Sequence, residues 1–349
     1  MQRYAMEKIA IIGAGSWGTA FACLVAENAR STVLWSHSQE VAEGINEDHV
    51  NPRYVSYCTL DGSISATTDL KEALEGADGV VVVVPSAYIR STMQAAHPYI
   101  SHGTPVLILT KGVEPDTGEL MCDVVADEIG NRQRIAVLSG PNHAEEICMG
   151  MISGAVVASD CEAVAQYFQQ LISSKSFRVY VSDDLVGVEL CAATKNIIAI
   201  ATGAASKLEV GDNCIAVLMT RGLAEIGRIV SAAGGNPLTC MGLAGMGDLI
   251  ATCMSEHSRN RSFGQALMDG VTVREYEEKT HMVVEGAAAT KSIYALGQKL
   301  GVQIPITEAV WSMLYDNRDP RQAIDILLDR LPNEEFYDFD QDVLAERSN

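Results

Sequence analysis

Basic residues are in short supply in this chain. Against 45 Asp and Glu stand 25 Lys and Arg, a formal net charge of -20 over 349 residues. Phosphate backbones are held by clustered Lys and Arg, so this balance argues against a nucleic-acid-binding surface. A small anion would have to be held in a local pocket built from a few Lys, Arg and helix N-termini. Paired cysteines are also lacking. The nine cysteines, at 23, 58, 122, 148, 161, 191, 214, 240 and 253, contain no C-x-x-C and are odd in number. They read as small hydrophobes suited to a reducing compartment, with neither a disulfide framework nor a structural metal. No uncharged stretch reaches membrane-spanning length, because the most apolar long segment is interrupted by Glu189 and Lys195. Stable membrane insertion is therefore not expected. The opening MQRYAMEKIAIIGAGSWG lacks a signal-peptide layout, which makes the cytoplasm the expected location. Aromatics are few, and there is no internal repeat or low-complexity linker.

What is present is a Gly- and Ala-rich α/β profile, long enough for two domains that each bury a core. A β-branched run over 8–12 leads into Gly13-Ala14-Gly15-Ser16-Trp17-Gly18 and then an Ala-rich helical segment over 19–29. Strand, G-x-G-x-x-G turn and helix in this order form a dinucleotide-binding fingerprint. Gly13 permits the tight turn, Gly15 lets the backbone approach a pyrophosphate, and Gly18 lets helix and strand pack closely. A second strand over 32–35 runs into Trp35-Ser36-His37-Ser38-Gln39-Glu40, with no acid at the strand end where a ribose 2′-hydroxyl would be bound. Nothing there repels a 2′-phosphate, so NADP is expected to be tolerated. His37 reads either as a weak phosphate donor or as a solvent-facing residue.

Alternation of strand and helix continues, with a helix over 69–76, buried strands over 79–84, 106–109 and 135–138, and further elements over 153–158, 161–173 and 177–182. This predicts a mostly parallel, doubly wound sheet covered on both faces. Ligands of such sheets bind beyond the carboxyl ends of the strands, which singles out Lys111 after Thr110, with a solvated loop lysine as the alternative. Ser139-Gly140-Pro141-Asn142-His143-Ala144-Glu145 has the layout of a capping box on Asn142, opening another helix. His143 reads as a first-turn residue without acid-base duty.

Beyond residue 183 the strand signals stop and helical patterns follow one another, over 185–205, 214–233, 261–269, 285–301 and 306–315. The domains are accordingly expected at 1–183, an α/β dinucleotide-binding domain, and 184–333, all-helical, with an acidic tail over 334–349. The helix over 185–205 is apolar enough to be buried, yet carries Lys195 and Asn196 at its centre. Cys191, Ala192, Ile198 and Ala199, one turn away, give the lysine a small apolar face. Desolvation would lower its pKa toward the range useful for a general acid or base; snorkelling, or an ion pair with Glu189 or another carboxylate, is the alternative. Thr239-Cys240-Met241-Gly242-Leu243-Ala244-Gly245-Met246-Gly247-Asp248 reads as a flexible glycine loop ending in one carboxylate, a device for close backbone approach to a ligand, with Asp248 as a mere cap of the next helix the alternative. Ser258-Arg259-Asn260-Arg261 sets two arginines at a helix start, which points to an anion between them or to arginines extended into solvent.

Together, GAGSWGTA, VPS at 84–86, TKG at 110–112, SGPNHAEE at 139–146, AATKNIIAI at 192–200, GLAGMGDL at 242–249, SRNRSFG at 258–264 and VEG at 284–286 resemble bacterial NAD(P)-dependent glycerol-3-phosphate dehydrogenases, in order over nearly the whole chain. The resemblance implies a Rossmann-like domain followed by a helical domain whose long helix carries a catalytic lysine, here Lys195. It implies cofactor contacts from Gly13, Gly15, Ser16, Trp17, Gly18, His37, Lys111, Ala144, Arg259, Val283 and Glu285. It implies a substrate site of Lys111, Gly140, Asn142, Lys195, Asp248, Ser258, Arg259 and Asn260. The chain departs from the family pattern at His37, often arginine, and at Asn142, often Ser or Thr. The implied reaction interconverts dihydroxyacetone phosphate and sn-glycerol 3-phosphate with NADP or NAD, supplying the glycerophospholipid backbone. A homodimer is expected from the apolar helices of the second domain. The competing readings are a lysine-using dehydrogenase of 6-phosphogluconate or 3-hydroxyisobutyrate type, and a protein that senses NAD(P) without turnover.

Overall fold

The computed structural model describes residues 6–115, 117–329 and 334–335. Two units each carry their own contacts: residues 1–110 with 121–185, and residues 111–120 with 186–349. The first unit is built on eight strands, β1 (Met6–Ile12), β2 (Ala29–Trp35), β3 (Ile64–Thr67), β4 (Gly79–Val82), β5 (Val106–Ile108), β6 (Ile135–Ser139), β7 (Ser153–Ala158) and β8 (Phe177–Ser182). Their order in the sheet is β3-β2-β1-β4-β5-β6-β7-β8. All neighbours are parallel except β6 and β7. The strand order reverses between β1 and β4, which places a crevice at their carboxyl ends, directly above the glycine turn.

Helices α1 (Ser16–Ala26), α2 (Gln39–Asp48), α3 (Leu70–Leu74), α4 (Ile89–Ala96), α5 (Met121–Ile129), α6 (Ala144–Cys148) and α7 (Glu162–Ile172) connect the strands. The valine run of β4 is buried at every position, as a central parallel strand demands. Ile9, Ile11, Phe21, Leu34, Val81, Leu107 and Phe168 belong to one packed cluster that joins strands to helices. β3 escaped the sequence reading because four residues between turn-formers carry too short an alternation to register. The helix after β6 begins one residue later than the Asn142 capping box predicts: its N-cap is His143, whose carbonyl accepts from Ile147 N at 3.1 Å.

The second unit contains α8 (Leu185–Lys207), α9 (Asp212–Ala232), α10 (Asp248–Met254), α11 (Arg259–Leu267), α12 (Val273–Thr280), α13 (Glu285–Leu300), α14 (Pro305–Tyr315) and α15 (Pro320–Leu328). Every residue of α8 from Gly187 to Ala205 is buried. A helix apolar on all sides must be enclosed, and glycines let its neighbours come close enough to do so. A methyl added at Gly203 would overlap the Arg261 carbonyl of α11, one at Gly264 would overlap the Ile200 carbonyl of α8, and one at Gly222 of α9 would lie 2.7 Å from Ile198. By length and composition α8 is the one described helix that passes for a membrane span, yet 94% of its most apolar window is buried inside the protein. The acidic segment beyond 334–335 lies outside the described residues.

Candidate active site

In the first unit, the glycine turn between β1 and α1 is shaped by backbone crowding. Gly13 has φ +119°, and a Cβ there would come within 2.7 Å of the Val83 carbonyl oxygen. A Cβ at Gly18 would overlap the Gly13 carbonyl, so α1 begins in contact with the turn. Gly15 is different, because nothing lies within 4 Å of the position its Cβ would take. Open space above an amide-lined turn at a helix start fits a pyrophosphate. Ser16 opens α1, and Trp17 packs edge-on against Phe21 with ring centroids 5.5 Å apart. The Trp17 indole nitrogen is buried and has no hydrogen-bond partner among the described residues. His37 is exposed, two residues past the end of β2. Gly140 follows β6 with φ +153°, and a Cβ there would lie 2.6 Å from the Gly154 carbonyl oxygen. Asn142 is buried, and Ala144 is the first residue of α6.

The second unit gathers charges around α8. Lys195 is 4% exposed and donates to Asp248 Oδ1 at 2.5 Å and to Thr252 Oγ1 at 2.7 Å. Lys111 donates to the other carboxylate oxygen, Asp248 Oδ2, at 3.0 Å. Thr252 is oriented in turn, since its hydroxyl donates to the Asp248 carbonyl one helical turn back at 2.6 Å. Its oxygen is thereby left to accept from the lysine. Asp248 neither ends an irregular loop nor caps a helix. Residues Leu243–Gly247 form a π-type turn that runs straight into α10, Gly247 is the N-cap, and the Asp248 side chain turns to the two lysines. Of the carboxylates open to Lys195 in the sequence, the one it pairs with is Asp248, 53 residues away, and not Glu189 on its own helix.

Burial sets the protonation of this cluster. Desolvation lowers the Lys195 pKa from 10.5 to about 8; Asp248 pulls it up, and Lys111 pushes it further down. For Asp248, burial raises the pKa, but Lys111 and Lys195 together overcome it and hold the carboxyl below its ordinary value. At neutral pH the cluster is a fixed carboxylate between two ammonium groups, one of them near its titration point.

A second polar chain runs beside it. Asn260 on α11 donates through Nδ2 to Asn196 Oδ1 at 3.0 Å, and its own Oδ1 accepts from Gly286 N at 2.9 Å. Asn196, adjacent to Lys195, is thereby tied to the first turn of α13, where Glu285 begins the helix behind the exposed Val283. A methyl at Gly286 would lie 2.7 Å from Asn260 Oδ1, so only glycine allows this approach. Ser258 is the N-cap of α11, its hydroxyl accepting from Arg261 N at 3.3 Å. Arg259, the first residue of α11, is exposed.

The second unit thus holds a buried lysine whose pKa is lowered to about 8, and the first holds a glycine turn of the dinucleotide-binding type. The chain matches the family model described as NAD-dependent glycerol-3-phosphate dehydrogenase N-terminus over residues 8–165, and the C-terminus model over 184–325. A glycerol-3-phosphate dehydrogenase (NAD(P)+) of Bacillus pumilus is 43% identical over 335 residues, covering 95% of this chain and 97% of the relative. The chain belongs to the NAD-dependent glycerol-3-phosphate dehydrogenase family. An enzyme of the same name from Enterococcus faecalis is 45% identical over 319 residues, covering 91% of this chain and 94% of its own. The crystal structure of glycerol-3-phosphate dehydrogenase from Coxiella burnetii superposes with a TM-score of 0.88 at 39% identity, covering 93% of this chain and 99% of that one.

Of the residues implied by likeness to the glycerol-3-phosphate dehydrogenases, Lys111, Lys195 and Asp248 stand in one hydrogen-bonded cluster, and Asn260 in the adjoining chain. Gly13, Gly15, Ser16, Trp17 and Gly18 form the glycine turn and the start of α1. Two further polar residues are bonded into this arrangement, Thr252 and Asn196. Thr252 lies four residues after Asp248, the spacing that puts both on one helical face, and that was the available signal. Asn196 shows in the sequence only as a polar residue in an apolar helix, and its bond to Asn260, 64 residues on, depends on tertiary structure.

Proposed function

We propose that this chain reduces dihydroxyacetone phosphate to sn-glycerol 3-phosphate with NAD(P)H, and catalyses the reverse oxidation, supplying the backbone of glycerophospholipids. The observation that carries the reading is the buried Lys195 held between Asp248 and Thr252, with a pKa near 8. When bound, the nicotinamide supplies hydride chemistry at substrate C2. The residues of this chain handle the proton on the C2 oxygen. Two of the three ammonium protons of Lys195 are committed to Asp248 and Thr252, so the third is the one exchanged with substrate. The ammonium donates it in reduction, and the neutral amine takes it up in oxidation. Asp248 stays ionised throughout, which orients Lys195 and balances Lys111.

Ser258, Arg259 and Asn260 at the start of α11, with Lys111, are assigned to the substrate phosphate, and Gly140 and Asn142 to its approach. The dinucleotide is assigned to Gly13, Gly15, Ser16, Trp17, Gly18, His37, Lys111, Ala144, Arg259, Val283 and Glu285. In domain terms, 1–183 binds the cofactor and 184–333 carries the catalytic lysine, with the 111–120 segment serving the latter. The protein is proposed to act in the cytoplasm as a homodimer, without nucleic acid or membrane insertion. Exposed Val217, Leu238, Met241, Ile250 and Met254 on the helical unit support self-association.

Oxidation of NADPH and NADH is followed with dihydroxyacetone phosphate, beside reduction of NADP and NAD with 6-phosphogluconate and 3-hydroxyisobutyrate. Turnover confined to the triose phosphate is expected. Turnover of either acid alone, or dinucleotide binding with no turnover, would overturn the reading.

A further inference from the structure

The end of β2 lacks both the acid that would bind a ribose 2′-hydroxyl and an arginine that would bind a 2′-phosphate. A guanidinium nevertheless reaches this region from another segment. Arg53 Nε and Nη2 both meet the same oxygen of Glu40, Oε2, at 2.8 and 2.6 Å. Glu40 lies in the first turn of α2, five residues beyond the end of β2. The backbone of Arg53 is tied to the glycine turn itself. Asn51, fully buried, donates through Nδ2 to the Ala14 carbonyl at 2.9 Å and to Thr19 Oγ1 at 2.8 Å, and its Oδ1 accepts from Arg53 N at 3.2 Å and Tyr54 N at 3.1 Å. One end of Arg53 is thus fixed to the turn that cradles a pyrophosphate, and the other to the helix that follows β2. The adenosine ribose of a bound dinucleotide lies between those two elements in this fold.

The pair is exposed, with side-chain accessibilities of 50% and 59%, so it adds little to stability and is open to a ligand. Its carboxylate uses one oxygen on both guanidinium donors, which leaves Arg53 other N–H groups for a second anion. A planar guanidinium suits a phosphate far better than an imidazole does.

We propose that Arg53 is the residue that receives the adenosine 2′-phosphate of NADP, and that Glu40 holds it in place while moderating the preference over NAD. The inference rests on the dehydrogenase reading above. Glu40 competes with the phosphate for Arg53, so the intact pair supports use of both cofactors.

The test is isothermal titration of the full-length protein with 2′,5′-ADP and with 5′-AMP, for wild type, Arg53→Gln, Arg53→Lys and Glu40→Gln. The NADPH to NADH ratio of kcat/KM for dihydroxyacetone phosphate reduction is measured beside it. Arg53→Gln is expected to weaken 2′,5′-ADP by about tenfold or more while 5′-AMP changes by less than about threefold, and the ratio falls in step. Arg53→Lys keeps part of the affinity, and Glu40→Gln tightens 2′,5′-ADP. Equal weakening of both nucleotides in Arg53→Gln, or no change in either, would overturn the proposal. If wild type reduces the triose phosphate with NADPH and Arg53→Gln keeps its ratio, this inference alone falls; if wild type neither binds dinucleotide nor turns over, the dehydrogenase reading falls with it.

Discussion

Thr252→Val separates the positioning of Lys195 from its charge environment. Valine keeps the volume and branching of threonine but removes the oxygen that accepts from Lys195 Nζ at 2.7 Å. That hydrogen bond is made to the ammonium form, so its loss disfavours the charged state and lowers the pKa. A hydrogen bond to a charged group contributes about 1.5–3 kcal/mol, which corresponds to about 1 to 2 pH units. The neutral amine can also donate to Thr252, so this is an upper bound, and the Lys195 pKa should fall below about 8 by at most about that much. Oxidation of sn-glycerol 3-phosphate needs the neutral amine, so its kcat/KM, which reports the free enzyme, should rise with pH through about 8 in wild type and through a lower value in the variant. The plateau should also fall, because one of two restraints on the lysine is gone. The assay is kcat/KM for oxidation between pH 5.5 and 9.5, with single-turnover measurements to establish that chemistry limits the rate. An unmoved rising limb in a folded variant would refute this account of how Lys195 is tuned.

Asp248→Asn should leave two ammonium groups beside a neutral amide, lower the Lys195 pKa further and reduce kcat by on the order of a hundredfold, read from the same profiles. Folding lowers the Lys195 pKa from 10.5 to about 8, so between those values the unfolded chain holds the proton that the folded chain has lost. The contribution of this residue to stability therefore rises with pH across that window, and urea midpoints should show the rise in wild type and lose it in Lys195→Met. Gly203→Ala pushes a methyl into the Arg261 carbonyl at the crossing of α8 and α11, and should cost about 1–3 kcal/mol in urea unfolding. Asn260→Ala breaks the link from Asn196 to Gly286 and should raise the KM for sn-glycerol 3-phosphate more than it lowers the melting temperature; the opposite balance would make the link purely structural.

Most of the architecture can be read from local chemistry. The glycine turn, the valine run of β4 and the long apolar α8 announce themselves because each carries a short-range pattern tied to one structure. β3 did not, for want of length, and neither did α12, a helix with no buried residue and hence no apolar stripe. The site shows the same division. Lys195 stands out as a charge in an apolar helix, but the identity of its partner depends on chain folding across 53 residues. Glycines at 242, 245 and 247 suggest a loose loop before Asp248, whereas Gly245 is required by the close approach of the Cys240 backbone and the segment forms a regular turn. Arg53 and Glu40 lie 13 residues apart in segments with no shared pattern, and only tertiary structure brings them together.

The central claim is that Lys195 moves the proton on the substrate oxygen and does little for cofactor binding. The direct measurement is NADPH oxidation with dihydroxyacetone phosphate by wild type and Lys195→Met, with NADPH affinity determined by calorimetry on the same samples. Wild type should turn over, and the variant should lose at least about a thousandfold in kcat while its NADPH affinity stays within about threefold. Near-normal turnover in the variant, or loss of NADPH binding in parallel with loss of rate, would contradict the account.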